Sequence, residues 1–394
     1  MAGQPIFHPT PEMAARSKDL AAKLDAAMKS SDPEQVRVVT TEMLKVLGDQ
    51  AGIPDGRRLG RKVPTSPITG EAATRLFFDA LKSEDRRILQ LMEGYPLPDQ
   101  TARVYGSILS AAATIRPYAS KHSPEKLDIL GKLTDGVASI LLTLQLPDGH
   151  FPFPDLRGKN IRFGDLTEKG LASGNMEIRE GWIVSADPDG GSQFDTGVCG
   201  TALLLAAVGP ANKDWQKSGL RAADWALAQP CCANFNYNAF SVSLLAHAFT
   251  VTGETRYLAG ALKKFRVGVA PGQAPNGRWM DAHNARTVYH VIILRALGDL
   301  GVALPTTSGA ERIELEKVIQ PAVHALLDEF DAMGITVESL PELLTLSHLE
   351  PDDTRLRAAV EAMASSIVGK STDGKRVKMG AQPDQLAAIA RVWP

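Results

Sequence analysis

Residues 236–253, NYNAFSVSLLAHAFTVTG, and the adjoining 254–268, ETRYLAGALKKFRVG, decide the fold. The first segment is small or apolar on almost every side and stops at Gly253, a residue suited to ending a helix. The second sets charged residues against an apolar stripe of Tyr257, Ala261 and Phe265. A helix enclosed by other helices needs small apolar residues all round, whereas a helix on the outside needs a single stripe. The pair therefore reads as the inner and outer helices of one hairpin.

The same alternation extends in both directions. FDTGVCGTALLLAAVG (194–209) precedes DWQKSGLRAADWALAQ (214–229), Thr101–Ala119 precedes Pro124–Leu144, and HNARTVYHVIILRALGDLG (283–301) reads as a further inner helix. Corresponding points Asp195, Tyr237 and Asn284 lie 42 and 47 residues apart, within the range of helical-hairpin repeats. Alternating runs rich in Val, Ile and Thr are nearly absent, so little or no β-sheet is expected. The expected fold is all-α: an α/α toroid, or incomplete barrel of repeated hairpins, forming one domain over residues 1–394. Pro11–Lys29 and a second helix from Asp32-Pro33 to Leu47 are expected to pack on that body as an added pair within residues 1–50. Two helices alone bury too little apolar surface to stand by themselves. Gly52–Gly70 reads as the loop that joins them to the rest.

Composition narrows the function. Lys plus Arg total 43 against 45 Asp plus Glu, which lacks the basic excess of a nucleic-acid binder. No apolar run approaches the roughly 18–20 residues of a membrane span, so no membrane partner is expected. The start, MAGQPIFHPTPEMAARSKDL, has no basic n-region followed by an apolar h-region. The compartment stays open between secreted or periplasmic, with a leader removed, and cytoplasmic. Cys199, Cys231 and Cys232 read as small buried hydrophobes. Neither GxGxxG nor GxxxxGK[ST] occurs, and the histidines lack the i,i+4 pairing of helical zinc sites. No cofactor is therefore evident and no metal ligands are assigned. A divalent cation such as calcium stays compatible with the chain, and the oligomeric state is not set by the sequence.

The segment TGETRYLAGALKKF (252–265), followed by PNGRW (275–279) and an inner helix, resembles the repeating unit of α/α-toroid carbohydrate enzymes, nearest to the helical pectate lyases. The loop LQLPDGHFPFPD (144–155) is similar to Gln-x-Pro-Asp-Gly loops of the same toroids. The resemblance covers about residues 130–300. It implies a toroid fold and a carbohydrate-active enzyme, a lyase cleaving an acidic polysaccharide or oligosaccharide by β-elimination. The acidic cluster of the calcium-dependent lyases has no counterpart here.

In such a ring, long loops lead into inner-helix N-termini, where free N–H groups and the helix dipole favour anions. The densest polar cluster lies in one of them: Asn276, Arg278, Trp279, Asp281, His283, Asn284, Arg286, Tyr289 and His290. A uronate lyase needs a cation or amides for the carboxylate, a base for the proton at C5 and an acid for the leaving oxygen. Arg286 with Asn236 or Asn238 would hold the carboxylate, while Tyr237 and His283 or His290 would move protons. Trp279, Asn284, Asp148, His150 and Gln193 are further candidates for substrate binding. A glycoside hydrolase using Asp195 and Asp281 as its carboxylate pair is the first alternative, and a non-catalytic glycan-binding protein the second. Capping is the structural alternative for Asp195, Asp281 and Asn284, and packing for Tyr289, His290 and His247.

Overall fold

The computed structural model describes residues 6–55, 74, 75, 77–79, 85–98, 100–159, 161–184, 190–209, 211–333, 346 and 352–362. They fall into two compact units, one drawing on Met1–Thr69 and Gln229–Lys375, the other on Gly70–Ala228. The first unit opens with α1 (Pro11–Ser30) and α2 (Pro33–Leu47). The second holds α3 (Asp85–Met92), α4 (Ala102–His122), α5 (Leu127–Leu144), α6 (Ile161–Ala172), α7 (Ser192–Val208) and α8 (Lys213–Ala228). The first then resumes with α9 (Phe235–Thr252), α10 (Thr255–Gly268), α11 (Thr287–Ala303) and α12 (Gly309–Met333). Gly52–Gly70, read as a loop, lies outside the described residues beyond Asp55.

The architecture is all-α and built of α/α hairpins. In the second unit α4 packs on α7, with α5 behind α4 and α8 behind α7. In the first unit α9 packs on α11, with α10 behind α9 and α12 behind α11. The residue pattern that predicts this is visible in the burial. In α7 nearly every residue from Gln193 to Ala207 is enclosed, whereas α10 buries the stripe Tyr257, Gly260, Ala261, Lys264 and Phe265. The N-terminal helices start where their caps dictate. Thr10 Oγ1 accepts from the Met13 N–H at 3.1 Å and Asp32 Oδ1 from Glu34 and Gln35 at 3.0 and 3.2 Å, each ahead of a proline at the first helical position. α2 lies against α10 and the 3-10 turn Ala270–Gly272. Cys199, Cys231 and Cys232 are all buried, and burial pushes the Cys199 and Cys231 thiols up.

Two loops reveal a repeat in atomic detail. Gln145 donates to Gly149 O at 2.8 Å and to Ser218 O on α8 at 2.9 Å. Gln273 donates in the same way to Gly277 O at 3.2 Å and to Val318 O on α12 at 2.9 Å. Asp148 accepts from the His150 N–H, as Asn276 does from the Arg278 N–H. Phe151 and Trp279 then plug the core, each enclosed. Gly149 and Gly277 have φ of 106° and 81°, and a Cβ there would meet Arg221 O and Pro321 O at 2.3 and 2.2 Å. Gln-x-Pro-Asp/Asn-Gly is thus a docking turn that seats a loop on the outer helix of the following hairpin. Gly277→Ala should cost about 2–3 kcal/mol, because it combines left-handed backbone strain with a clash against a main-chain carbonyl. Urea unfolding of the variant checks this, with Gly131→Ala as a helical control that meets no atom within 4 Å.

Two readings need correction. α7 begins at Ser192, so Asp195 lies within the first turn and is not an N-cap. α11 begins at Thr287 rather than near His283, because residues 281–286 form a turn held by Asp281. The stretch after the first docking turn holds α6 and a small antiparallel sheet of β1 (Phe153–Pro154), β2 (Ile178–Arg179) and β3 (Trp182–Ile183), ordered β1-β3-β2.

Candidate active site

The first unit concentrates polar side chains where the turn before α11 meets the first turn of α9. Asp281 accepts the Asn284 N–H at 2.9 Å and the Asn284 amide at 3.1 and 2.9 Å through its two oxygens. The Asn284 Oδ1 accepts in turn from the Asn236 N–H at 3.2 Å and its Nδ2 at 2.8 Å. Asn236 also donates to Asn234 Oδ1 at 2.8 Å, while its own Oδ1 is enclosed with no partner. Asn284 thus satisfies a free N–H at the start of α9 from a different segment, which ties the two candidate loops together. An enclosed acceptor left unsatisfied costs about 1–3 kcal/mol and marks a strained or functional spot.

Beside this chain of amides, the His283 ring stacks on Tyr289 with centroids 4.1 Å apart. Burial raises the Asp281 carboxyl above its ordinary value, and the bonds from Asn284 and the nearby His283 only partly oppose it. The consequence for stability has a definite sign. A carboxyl favoured in its protonated form when folded stabilises the protein below the ordinary value of 3.8 and loses that contribution as pH rises through its raised value. Asp281→Asn should therefore flatten the fall in unfolding stability between acid and neutral pH, measured by urea titration at a series of pH values.

Several expected contacts are taken by the fold. Trp279 is 0% exposed and donates its indole N–H to Val269 O at 3.1 Å. His290 is likewise 0% exposed, with Nε2 bonded to Ala322 O at 2.8 Å and its ring against Trp279. Asn238 clamps a turn, donating to Cys232 O and Gly268 O and accepting from the Cys232 N–H. These three are enclosed and cannot meet a solute as they stand. Arg278 is buried too, paired with Glu329 of α12, whose carboxylate also accepts from Thr287. Tyr237 is half-buried on α9 one position from Asn236, and Arg286 is paired with Asp55.

The second unit places the remaining candidates. Arg103 of α4 grips Asp195 with Nε to Oδ1 at 2.8 Å and Nη2 to Oδ2 at 2.5 Å, and its guanidinium lies 3.7 Å from the Phe194 ring centroid. A carboxylate held in such a fork is committed to its arginine and is poorly placed to exchange protons. His150 Nδ1 is 2.6 Å from Asp148 Oδ1, and its ring stacks on Trp225 of α8. The stack seats the loop on α8, and Gln193 of α7 is buried at 3% exposed. Sequence reasoning gave no role to Arg103, Glu329 or Asp55, since each is defined by a distant partner. It also passed over a cluster in the first unit. There the Ser243 Oγ donates to Asp299 Oδ2 at 2.5 Å, and His247 Nε2 lies 3.6 Å from the same oxygen. Burial pushes the Asp299 carboxyl up, but His247, Arg295 and Ser243 outweigh it and hold it below the ordinary value. The legible signal was Ser243 and His247 four apart on an apolar helix.

No protein-family profile matches the sequence, and no curated protein matches it. Among solved structures, cellobiose 2-epimerase from Spirochaeta thermophila DSM 6192 is similar over 97% of both chains, at 11% identity and a TM-score of 0.47. The GH76A alpha-1,6-mannanase from Salegentibacter sp. HEL1_6 is similar over 75% of this chain and 99% of its own, at 13% identity and a TM-score of 0.31. Among the described residues no group of three or more His, Cys, Asp or Glu stands in metal-binding geometry. No described helix is long and apolar enough to cross a membrane.

Proposed function

We propose that the protein is a carbohydrate-active enzyme whose acid–base centre is the turn 281–286 and the start of α11, together with the first turn of α9. The observation that carries this reading is the stacked His283–Tyr289 pair beside a carboxyl, Asp281, that burial holds toward its protonated form. A base, a phenol, an acid and the Arg286 cation then share one short segment, the set needed to move protons on a sugar. The reaction we favour is β-elimination at a uronic acid. His283 takes the C5 proton, the C4–O bond breaks as the C4–C5 double bond forms, and a phenol, Tyr237 or Tyr289, returns a proton to the leaving oxygen. Arg286 neutralises the carboxylate, which lowers the barrier to the carbanion-like state. Tyr237 and His283 each adjoin one partner of the Asn236–Asn284 bond, which supports assigning them to one centre.

Glycoside hydrolysis is the second reading, favoured by Asp281 itself, since a carboxyl with raised pKa suits a general acid. Its expected partner Asp195 is engaged by Arg103, so a hydrolase would need another carboxylate as base or nucleophile. Incubation with polygalacturonate and with neutral glucans and mannans, followed by ultraviolet absorbance and reducing ends, separates the two. The lyase reading expects both signals to rise on polyuronate. Reducing ends alone select the hydrolase, and neither signal on any polymer overturns the proposal.

A further inference from the structure

The cation expected to receive a substrate carboxylate already holds one. Arg286 Nε donates to Asp55 Oδ1 and to Asp55 O, the latter at 3.0 Å. Asp55 comes from the segment after α2, which lies along the site loop through Gly52 N–H to Met280 O and Asp55 N–H to Ala282 O, both 3.0 Å. Asn276 adds a bond from its amide to Ala51 O at 3.1 Å. The backbone of this segment is therefore anchored independently of the Asp55 side chain.

The pair is also accessible. The Arg286 side chain is 37% exposed and that of Asp55 42%, so solvent screens their attraction and an incoming anion can compete for the guanidinium. Arg286 occupies the N-cap position of α11 and its side chain makes no cap bond there, so the positive end of the helix dipole adds to the attraction for negative charge. His283 and Tyr289 stand on the same short segment.

We infer that Asp55 is an internal ligand of the site, its carboxylate filling the seat on Arg286 that the anionic group of an acidic saccharide takes when it binds. This rests on the acid–base reading above for the nature of the ligand, but not for the seat itself. A bound saccharide displaces the Asp55 side chain and leaves the strap in place. Asp55 thus weakens binding by the fraction of time its carboxylate occupies the cation. It also shields the guanidinium from small inorganic anions.

The test is calorimetric titration of the full chain with trigalacturonate and, separately, with inorganic sulfate. Asp55→Asn and Asp55→Ala should bind both probes about threefold to fivefold more tightly than the unaltered protein, the scale expected for removing an exposed ion pair. Adding Arg286→Gln should abolish the gain. Unchanged or weaker binding in both Asp55 variants, with unaltered thermal midpoints, overturns the inference, as does sulfate and trigalacturonate binding to none of the proteins. The two readings fail separately. If the protein cleaves polyuronate and KM is the same in Asp55→Asn, the internal ligand is wrong and the lyase stands. If no polyuronate is turned over but sulfate binding tightens in Asp55→Asn and is lost in Arg286→Gln, the seat stands and the lyase falls.

Discussion

Glu329→Ala should destabilise the protein by about 3–5 kcal/mol, because it removes one partner of a buried ion pair and leaves the Arg278 guanidinium enclosed. The two side chains are 7% and 4% exposed. Arg278 also donates to Ala285 O at 3.2 Å, Thr287 Oγ1 at 3.3 Å and Ala325 O at 3.4 Å, which are uncharged acceptors. Urea unfolding followed by circular dichroism gives the loss. The double replacement Arg278→Met with Glu329→Leu should recover most of it, since removing both charges leaves no buried ion to desolvate. A double variant as unstable as the single one would show that the pair is needed for more than its charge balance. Arg278 and Thr287 bracket the turn 281–286, so Glu329→Ala should also lower activity by loosening that turn.

The second large effect concerns chemistry. His283→Ala should reduce kcat about a hundredfold if its imidazole moves the proton, with thermal stability changed less than activity because the ring is half-buried and stacks on Tyr289. Tyr237→Phe keeps the ring, removes one hydroxyl and should show a loss of the same order if that phenol is the acid. His290 supplies the contrast. It is enclosed and bonded to Ala322 O, so His290→Ala should reduce stability and leave the kcat of the folded fraction nearly intact. A His283→Ala enzyme with full kcat would remove the proposed centre. Asp195→Asn, which would otherwise separate hydrolase from lyase, is a poor discriminator here. It breaks the fork to Arg103, so it perturbs the packing of α4 on α7 whichever reaction is catalysed.

The legible part of the fold shares one physical feature: it depends on neighbours a few residues away. The start of α2 follows from Asp32 and Pro33, because an aspartate side chain reaches the N–H groups two and three residues on and proline fits the first helical position. The inner and outer character of α9 and α10 follows from a period of 3.6 residues and from which faces carry charge. The docking turns at Gly149 and Gly277 were visible as Pro-Asp-Gly and Pro-Asn-Gly because only glycine takes their positive φ cheaply. The start of α11 was misplaced for the same reason in reverse. Asp281 and His283 resemble a cap and a first turn, yet Asp281 spends its oxygens on Asn284 and holds a non-helical turn.

The polar composition of the site was legible in the stretch from Asn276 to His290, but its division of labour was not. Sequence alone determined that these side chains cluster in the loop ahead of an enclosed helix and in that helix's first turn, along with the hairpin order and the near absence of sheet. Tertiary structure alone decided that Trp279, His290 and Asn238 are enclosed while His283, Tyr289 and Arg286 keep partial access. It also decided that Arg278 belongs to Glu329, 51 residues away, that Asp195 belongs to Arg103, 92 away, and that Arg286 belongs to Asp55, 231 away. A charge in a sequence carries no record of the partner that will neutralise it. That choice is made when packed helices bring distant segments within about 3 Å, the range in which hydrogen bonds between charged groups form.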